Sequence, residues 1–317
     1  MDEQSQVILR KLRLTPLQFL GSLPLAFRAW AERRAAPSPA LLSRMVKRVE
    51  NRSIPGPDPD SHLRLRLYYP NSPSGGLVLF FHGGGFVMGG LDSHAMIAAK
   101  LAQSSRCIVV AVDYRLAPRH RYPAAIEDGY AALLWLHEHA TELGGEPTRI
   151  AVCGDSAGGN LSAVLCLLTR RRNGPGIAFQ ALLYPATHGN IAVPSHSENA
   201  RGYFLTTRAM DWFTRQYIGS KKPEDLAPGE IELLAPFQAL DHRGLPPAHI
   251  VTVQYDPLRD EGEQYASKLR AAGIPVTVSR YDSFHGFLNF WPPIELARRA
   301  LEETGAAIAT GLADPIS

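Results

Sequence analysis

The sequence is poor in cysteine and lacks the common metal-binding patterns. Its three cysteines, Cys107, Cys153 and Cys166, each lie in an apolar run of a 317-residue chain. An odd number without paired spacing argues against a disulfide framework and favours buried thiols in a reducing cytoplasm. Neither HExxH nor CxxC occurs, so we expect no metal centre and no cofactor.

Long hydrophobic runs and a strong net charge are also absent. No stretch of eighteen or more apolar residues occurs, so we expect no membrane insertion. The N-terminus begins acidic and is interrupted by charge, unlike a signal peptide, and we expect a cytoplasmic protein. The formal charge of +3 is small, and no basic patch interleaves with aromatic residues. We therefore expect no nucleic-acid partner.

What the sequence does contain is an alternation of strand-like and helix-like segments. This order predicts an α/β fold, with a mostly parallel twisted sheet flanked by helices. The predicted strands are residues 63–69, 77–81, 107–112, 150–153, 181–184, 249–255 and 276–281. The predicted helices are residues 123–144, 156–172, 260–272 and 295–308.

Two regions interrupt this alternation. Residues 1–45 look helical and precede the first predicted strand, and residues 186–220 follow a strand and contain an amphipathic helix at 207–217. Because ligands of open α/β sheets bind beyond the carboxyl ends of the strands, we expect both regions to form a helical cap. Residues 46–185 and 221–317 would form the catalytic domain beneath this cap. The alternative is that the two regions are only a packing layer.

The strongest motif is the hexapeptide GDSAGG at 154–159, which places Ser156 between an apolar strand and an apolar helix. A sharp strand-to-helix turn needs small residues on both sides of the serine, and Gly154 and Gly158 supply them. Such a turn presents the hydroxyl as a nucleophile, with the helix N-terminus behind it. The alternative is a serine that only caps the helix.

A second motif, HGGGF at 82–86, follows the apolar strand LVLFF. Its glycines Gly83, Gly84 and Gly85 can expose several N–H groups at once, and we expect them to form an oxyanion hole with Ala157. A phosphate cradle is less well supported, since no GxxxxGK[ST] follows, and a flexible loop is the other alternative. We expect His82 to hold the loop by a structural hydrogen bond.

A serine nucleophile needs a histidine base and an orienting acid, in the chain order Ser, Asp or Glu, His. Of the later histidines, only His285 follows the last predicted strand, in a loop loosened by Gly286. Asp256 directly follows the strand HIVTVQY and is the expected acid. Asp260 and Glu261 compete with it, but both fit the first turn of the next helix better.

Together these motifs resemble the hormone-sensitive lipase family of α/β-hydrolases, in particular its bacterial esterases. The resemblance spans most of the chain from about residue 63. One departure is Arg119, where the family usually has an acidic residue, which puts a local ion pair in doubt. The matching stretches are HGGGF at 82–86, DYRLAP at 113–118, YPAAIED at 122–128, GDSAGGNL at 154–161, DPLRDEG at 256–262 and HGF at 285–287.

The resemblance implies an α/β-hydrolase fold, a triad of Ser156, Asp256 and His285, and hydrolysis of small carboxylic esters. We expect short- to medium-chain acyl esters, with an amidase or a lipase as alternatives. A non-catalytic binding member would have no use for the histidine. The resemblance also allows a homodimer through the last strand and helix. The candidate substrate-binding residues are Phe86, Asp155, Phe204, Leu205, Trp212 and Phe287.

Overall fold

A single eight-stranded sheet organises the chain. The computed structural model describes residues 1–12, 36–58, 60–189, 191–221 and 225–313. Within these ranges the strand order is β1-β2-β4-β3-β5-β6-β7-β8. The strands are β1 (Arg48–Pro55), β2 (His62–Tyr69), β3 (Leu77–Phe81), β4 (Ile108–Val112), β5 (Ile150–Asp155), β6 (Phe179–Leu183), β7 (Ala248–Tyr255) and β8 (Val276–Phe284).

The sheet is parallel except at one edge. β1 pairs antiparallel with β2, and β2 pairs antiparallel with β4, while all remaining pairs are parallel. The strands β3 to β6 are buried along their whole length, as expected for a sheet covered on both faces. The predicted α/β architecture is therefore confirmed. β1 was missed because it is a mostly exposed edge strand with only Val49 and Ile54 as apolar residues.

Helices cover both faces of the sheet. α4, α6 and α10 contribute to the core on one face, and α3 and α11 to the core on the other. Gly305 of α11 lies so close to α3 that a Cβ there would come within 2.3 Å of the Ser104 side chain. The helices are α1 (Glu3–Leu12), α2 (Pro39–Leu42), α3 (Ala95–Ser105), α4 (Ala124–Glu138), α5 (Ala140–Leu143), α6 (Ala157–Arg171), α7 (Pro194–Glu198), α8 (Thr207–Ile218), α9 (Pro228–Leu234), α10 (Arg259–Ala271) and α11 (Glu295–Ala313), with 3₁₀ turns at Pro236–Gln238 and Phe287–Phe290.

The predicted helix at 123–144 is two helices, α4 and α5, which meet at His139. Gly144 ends α5 in the left-handed conformation, with φ of 87°, as a glycine at this position permits. The other predicted helices agree with α6, α10 and α11 to within a few residues, apart from the longer C-terminal end of α11.

The long connection from β6 to β7 carries α7, α8 and α9 on the side where the strands end. The buried face of α8, which includes Phe213 and Tyr217, packs against Val87 and Leu258. Most of the predicted N-terminal cap, residues 13–35, lies outside the described residues. α1 lies beside β8, where Ser5 Oγ and Ser283 Oγ are 2.7 Å apart.

All three cysteines are buried and free, and burial raises the pKa of Cys153 and of Cys166 well above the usual thiol range. No helix among the described residues is long and apolar enough to cross a bilayer. The same part of the chain holds no group of three or more metal-ligating side chains placed to bind an ion.

Candidate active site

Ser156 occupies a strained turn between β5 and α6. Its φ of 56° and ψ of −116° are unusual for a side-chain-bearing residue, and its N–H donates to the Leu183 carbonyl at 2.8 Å. A Cβ on Gly158 would lie 2.0 Å from the Phe81 carbonyl oxygen, and one on Gly154 would lie 2.3 Å from the Gly158 oxygen. Both glycines are thus required by the close approach of main chain on either side of the serine.

A chain of hydrogen bonds joins Ser156 to His285 and Asp256. His285 Nε2 lies 2.9 Å from Ser156 Oγ, and His285 Nδ1 lies 2.7 Å from Asp256 Oδ2. Asp256 is completely buried, and its second carboxylate oxygen accepts the Leu258 N–H at 2.8 Å. The sheet brings the three together because β5, β7 and β8 are parallel and end at the same edge. This is the order of groups that a serine nucleophile requires.

The glycine loop after β3 faces the same cavity. Gly84 and Gly85 adopt φ values of 116° and 61°, and a Cβ on Gly84 would lie 2.1 Å from the Met88 carbonyl oxygen. Both glycines line the cavity with Ser156 and Ala157. Among the described residues, no acceptor is found for the N–H groups of Gly84, Gly85 or Ala157. These three groups are available to a ligand oxygen beside the serine.

Gly83 corrects the prediction that all three glycines serve as donors. Its N–H donates to Asp155 Oδ1 at 2.8 Å, so it is not free to bind an oxyanion. The correction also changes the expected role of Asp155. Although Asp155 borders the cavity, its carboxylate is buried and directed at the glycine loop, with His94 Nε2 at 3.4 Å. Asp155 therefore fixes the loop rather than contacting a ligand with its charge.

A buried polar cluster stands behind the glycine loop. His82 Nδ1 lies 2.8 Å from the Gly83 carbonyl oxygen, and the Tyr114 hydroxyl donates to the His82 carbonyl at 2.7 Å. The two rings are stacked 4.2 Å apart. Burial, aided by neighbouring His94, lowers the pKa of His82 to about 3, so its imidazole is neutral. The structure thus gives His82 the loop-holding contact expected from the sequence.

Electrostatics keep the Asp155 carboxylate charged. Burial by itself would raise the pKa of Asp155, but His94 and the Gly83 N–H outweigh burial and lower it. His94 was missed by sequence reasoning. It lies at the N-terminal end of α3, in the polar stretch GGLDSHAM, where nothing in the pattern distinguishes it from a surface residue.

A cavity of about 670 Å³ opens over the serine. Of the predicted substrate-binding residues, Phe86, Phe204 and Leu205 line it, whereas Trp212 and Phe287 do not. From α8, Met210 and Phe213 contribute apolar surface, and Leu258 follows Asp256. An apolar cavity around a few polar groups is typical of small-molecule sites.

Trp212 and Phe287 lie outside the cavity lining for simple structural reasons. On α8, the neighbouring Phe213 faces the cavity, and Trp212 packs edge-on against it with ring centroids 5.2 Å apart. Phe287 follows His285 closely in sequence but is fully buried. It packs near Tyr184 and Tyr281 in the core to which α3 and α11 contribute.

The departure at Arg119 leaves a local ion pair intact. Arg119 is exposed, while Arg115 of the same motif pairs with the buried Asp128 of the YPAAIED stretch at 2.8 Å. The hydrogen bond to Asp128 is the main cause of the raised pKa of Arg115. Burial opposes this effect, and Asp58 adds to it. The doubt raised by the sequence therefore does not extend to this contact.

Comparisons with known proteins agree with this architecture. Residues 78–289 match the family described as alpha/beta hydrolase fold. Carboxylesterase NlhH of Mycobacterium tuberculosis is 43% identical over 277 residues, covering 83% of this chain and 80% of the relative. An arylesterase of Saccharolobus solfataricus is 38% identical over 233 residues, covering 73% of this chain and 74% of that protein.

The solved structures point the same way. A hyperthermophilic esterase from the archaeon Pyrobaculum calidifontis superposes with a TM-score of 0.85 at 36% identity, covering 98% of each chain. The matched family residues include the glycine loop, the Ser156 turn, Asp256 and His285. The resemblance to the hormone-sensitive lipase family is thus confirmed, and the chain belongs to the α/β-hydrolase fold family.

Proposed function

We propose that this protein is a carboxylic ester hydrolase that acts on short- to medium-chain acyl esters through an acyl-enzyme. The observation that carries the proposal is the continuous hydrogen-bonded path from Ser156 Oγ through His285 to Asp256, at 2.9 and 2.7 Å. Relatives that are carboxylesterases and esterases, and that match this chain over most of their length, support the same reaction.

In the first half-reaction, Ser156 Oγ attacks the ester carbonyl carbon while His285 Nε2 takes the hydroxyl proton. Asp256 accepts the Nδ1 proton of His285 in a hydrogen bond, which fixes the tautomer and stabilises the imidazolium. The C–O bond of the ester then breaks, and His285 returns the proton to the leaving alcohol. In the second half-reaction, water replaces the alcohol and His285 acts again as base, releasing the acid and restoring Ser156.

The negative charge that develops on the carbonyl oxygen needs donors that are already in place. We assign this role to the N–H groups of Gly84, Gly85 and Ala157, which have no acceptor within the described part of the chain. Removing a single oxyanion donor from such a site costs on the order of 10²–10³ in kcat. Asp155 supports the hole indirectly, since it anchors Gly83 next to the two donors.

The cavity supports the substrate range. Its lining is mainly apolar around Phe86, Leu205 and Phe213, and about 670 Å³ accommodates a modest acyl chain with its alcohol. In this proposal residues 186–220 act as a cap, since α8 forms part of the cavity wall. The proposal also places the protein in the cytoplasm. It further includes a homodimer through β8 and α11, and light scattering measures whether a dimer forms.

A rate series on aryl esters of increasing acyl length tests the function. We expect hydrolysis with an optimum at short to medium chains and a loss of several orders of magnitude in kcat for Ser156→Ala and for His285→Ala. Ser267→Ala, on an exposed stretch of α10, is the matched control and should keep wild-type rates. Full activity of Ser156→Ala would refute the mechanism. An optimum at long chains with interfacial activation would indicate a lipase instead.

A further inference from the structure

A short piece of the insertion between β6 and β7 lies against the turn that carries Asp256. We refer to residues 193–199, which include α7, as the brace, and to residues 256–261, which join β7 to α10, as the acid turn. The two segments are about sixty residues apart in sequence but share several hydrogen bonds between buried or partly buried groups. These contacts connect the insertion to the turn that carries Asp256.

Ser195 contacts both sides of the acid turn and is completely buried. Its hydroxyl donates to the Pro257 carbonyl at 2.5 Å and accepts the Asp260 N–H at 3.2 Å, while its own N–H donates to Asp260 Oδ2 at 2.8 Å. Pro257 is buried, so its carbonyl would be left without this partner if the hydroxyl were removed. A buried acceptor without a donor is costly, and the turn would move to relieve it.

Asn199 contacts the acid residue itself. Its Nδ2 donates to the Asp256 carbonyl oxygen at 3.1 Å, and only 5% of the residue is exposed. Two contacts fix the orientation of the Asp256 side chain: the Leu258 N–H donates to Oδ1, and His285 Nδ1 lies beside Oδ2. Asn199 holds the main chain from which that side chain extends. The neighbouring Pro257 has no N–H with which to help.

Two further pairs close the contact. His196 Nε2 lies 2.8 Å from Glu261 Oε1, and Arg259 donates to Glu198 at 2.7 Å. Glu261 also accepts the Thr187 N–H at 2.7 Å, so the beginning of the insertion is attached to the same carboxylate. Glu261, only 2% exposed, therefore ties the insertion to α10 at two places.

We propose that Ser195 and Asn199 are positioning residues that set the direction of the Asp256 carboxylate toward His285. The inference rests on the proposed function, because it concerns the same triad. According to this proposal, the insertion between β6 and β7 contributes to the rate of acyl transfer as well as to the shape of the cavity. A displacement of about 1 Å in a catalytic group can cost on the order of 10²-fold in rate, so contacts that hold the acid turn in place affect catalysis.

The test uses the full-length enzyme and a short-chain aryl ester. We expect Asn199→Ala and Ser195→Ala to lower kcat about tenfold or more, with KM changed less than about twofold, because neither side chain lines the cavity. Ser195→Thr, which keeps the hydroxyl, should recover most of the rate. Ser197→Ala is the matched control in α7, since within the described part of the chain its hydroxyl bonds only to the Pro194 carbonyl.

A double-mutant cycle then separates positioning from general damage. In an Asp256→Asn background, Asn199→Ala should lower kcat by less than about twofold, because its effect passes through the carboxylate. Independent losses in the double variant, a rise in KM alone, or an unchanged kcat in Asn199→Ala would each overturn the proposal. If Ser195→Ala does not fold, as judged by thermal unfolding, the Asn199 cycle decides alone.

The two proposals fail in different ways. If the wild-type protein hydrolyses no ester, or Ser156→Ala keeps the activity, the proposed function is wrong. If the wild-type activity depends on Ser156 but Asn199→Ala is as fast as the wild type, only the positioning role is refuted.

Discussion

The substitution Asp155→Asn tests how the glycine loop is held in place, because it removes a charge with almost no change in side-chain shape. The carboxylate accepts the Gly83 N–H at 2.8 Å, lies 3.4 Å from His94 Nε2, and belongs to a residue that is 2% exposed. We expect kcat/KM for short aryl esters to fall about tenfold, mainly through kcat, because the N–H groups of Gly84 and Gly85 lose their alignment.

The size of the effect follows from the contact that is weakened. A hydrogen bond to a charged group contributes about 1.5–3 kcal/mol, and one between neutral groups about 0.5–1.5 kcal/mol. The asparagine oxygen can still accept the Gly83 N–H, so the loss is the difference, about 1–1.5 kcal/mol. Since about 1.4 kcal/mol corresponds to a factor of ten in rate, the expected change is about tenfold.

Steady-state kinetics on aryl acetates and butyrates, with thermal unfolding in parallel, measure the effect. Asp211→Asn is the matched control, because Asp211 is an exposed acid of α8 at the cavity wall that forms no hydrogen bond or ion pair with the glycine loop. A folded Asp155→Asn enzyme that keeps kcat/KM within about twofold of the wild type would refute the assigned role of Asp155.

The pH dependence of stability gives an independent check with a defined sign. Despite burial, His94 and the Gly83 N–H lower the pKa of Asp155 in the folded state. A depressed carboxyl pKa stabilises the fold above the unfolded pKa, and this contribution disappears as the pH falls through the folded pKa. The free energy of unfolding of the wild type should therefore exceed that of Asp155→Asn at neutral pH, and the gap should narrow in acid. A gap that widens in acid would contradict the assignment.

Three further predictions concern the cavity wall and the buried core. Phe287→Ala should lower the free energy of unfolding by about 3–5 kcal/mol in urea melts while leaving KM for short esters nearly unchanged, because the ring is buried beside Tyr184. Phe213→Ala should change KM for butyrate esters more than Trp212→Ala does, and equal effects would contradict the observed lining. Gly85→Ala should reduce kcat/KM at least about tenfold, since its Cβ would lie 2.4 Å from the Phe213 ring at a φ of 61°. Unaltered kinetics would show that the glycine loop has room for a side chain at this position.

The features that could be predicted from the sequence are those fixed by strand order. In a parallel sheet the carboxyl ends of successive strands meet at one edge, so Ser156 after β5, Asp256 after β7 and the loop after β8 had to converge. Among the later histidines, only His285 follows the last of these strands, β8. In the loop after β8, Gly286 adopts φ of 79° and so allows the turn that directs the His285 ring back to the serine.

The features that were not predictable depend on the direction of individual groups. Gly83, Gly84 and Gly85 are the same residue type in sequence, yet the N–H of Gly83 donates to a carboxylate, whereas those of Gly84 and Gly85 have no acceptor among the described residues. That division is set by φ values that glycine alone adopts freely, and no pattern encodes them. Trp212 and Phe213 differ in the same way, because a single helical step of about 100° moves a side chain from the cavity wall to its rim.

The pair Asp155–Ser156 shows why the serine motif carries more than a nucleophile. The strained turn, with φ of 56° at Ser156, costs about 1–3 kcal/mol, and such strain persists only where the surroundings over-determine it. Here it lets two consecutive residues act in opposite directions: the hydroxyl faces His285, and the preceding carboxylate faces the glycine loop. A single turn thereby positions both the hydroxyl that we propose as the nucleophile and the carboxylate that anchors the glycine loop, so a displacement of the turn would disturb both.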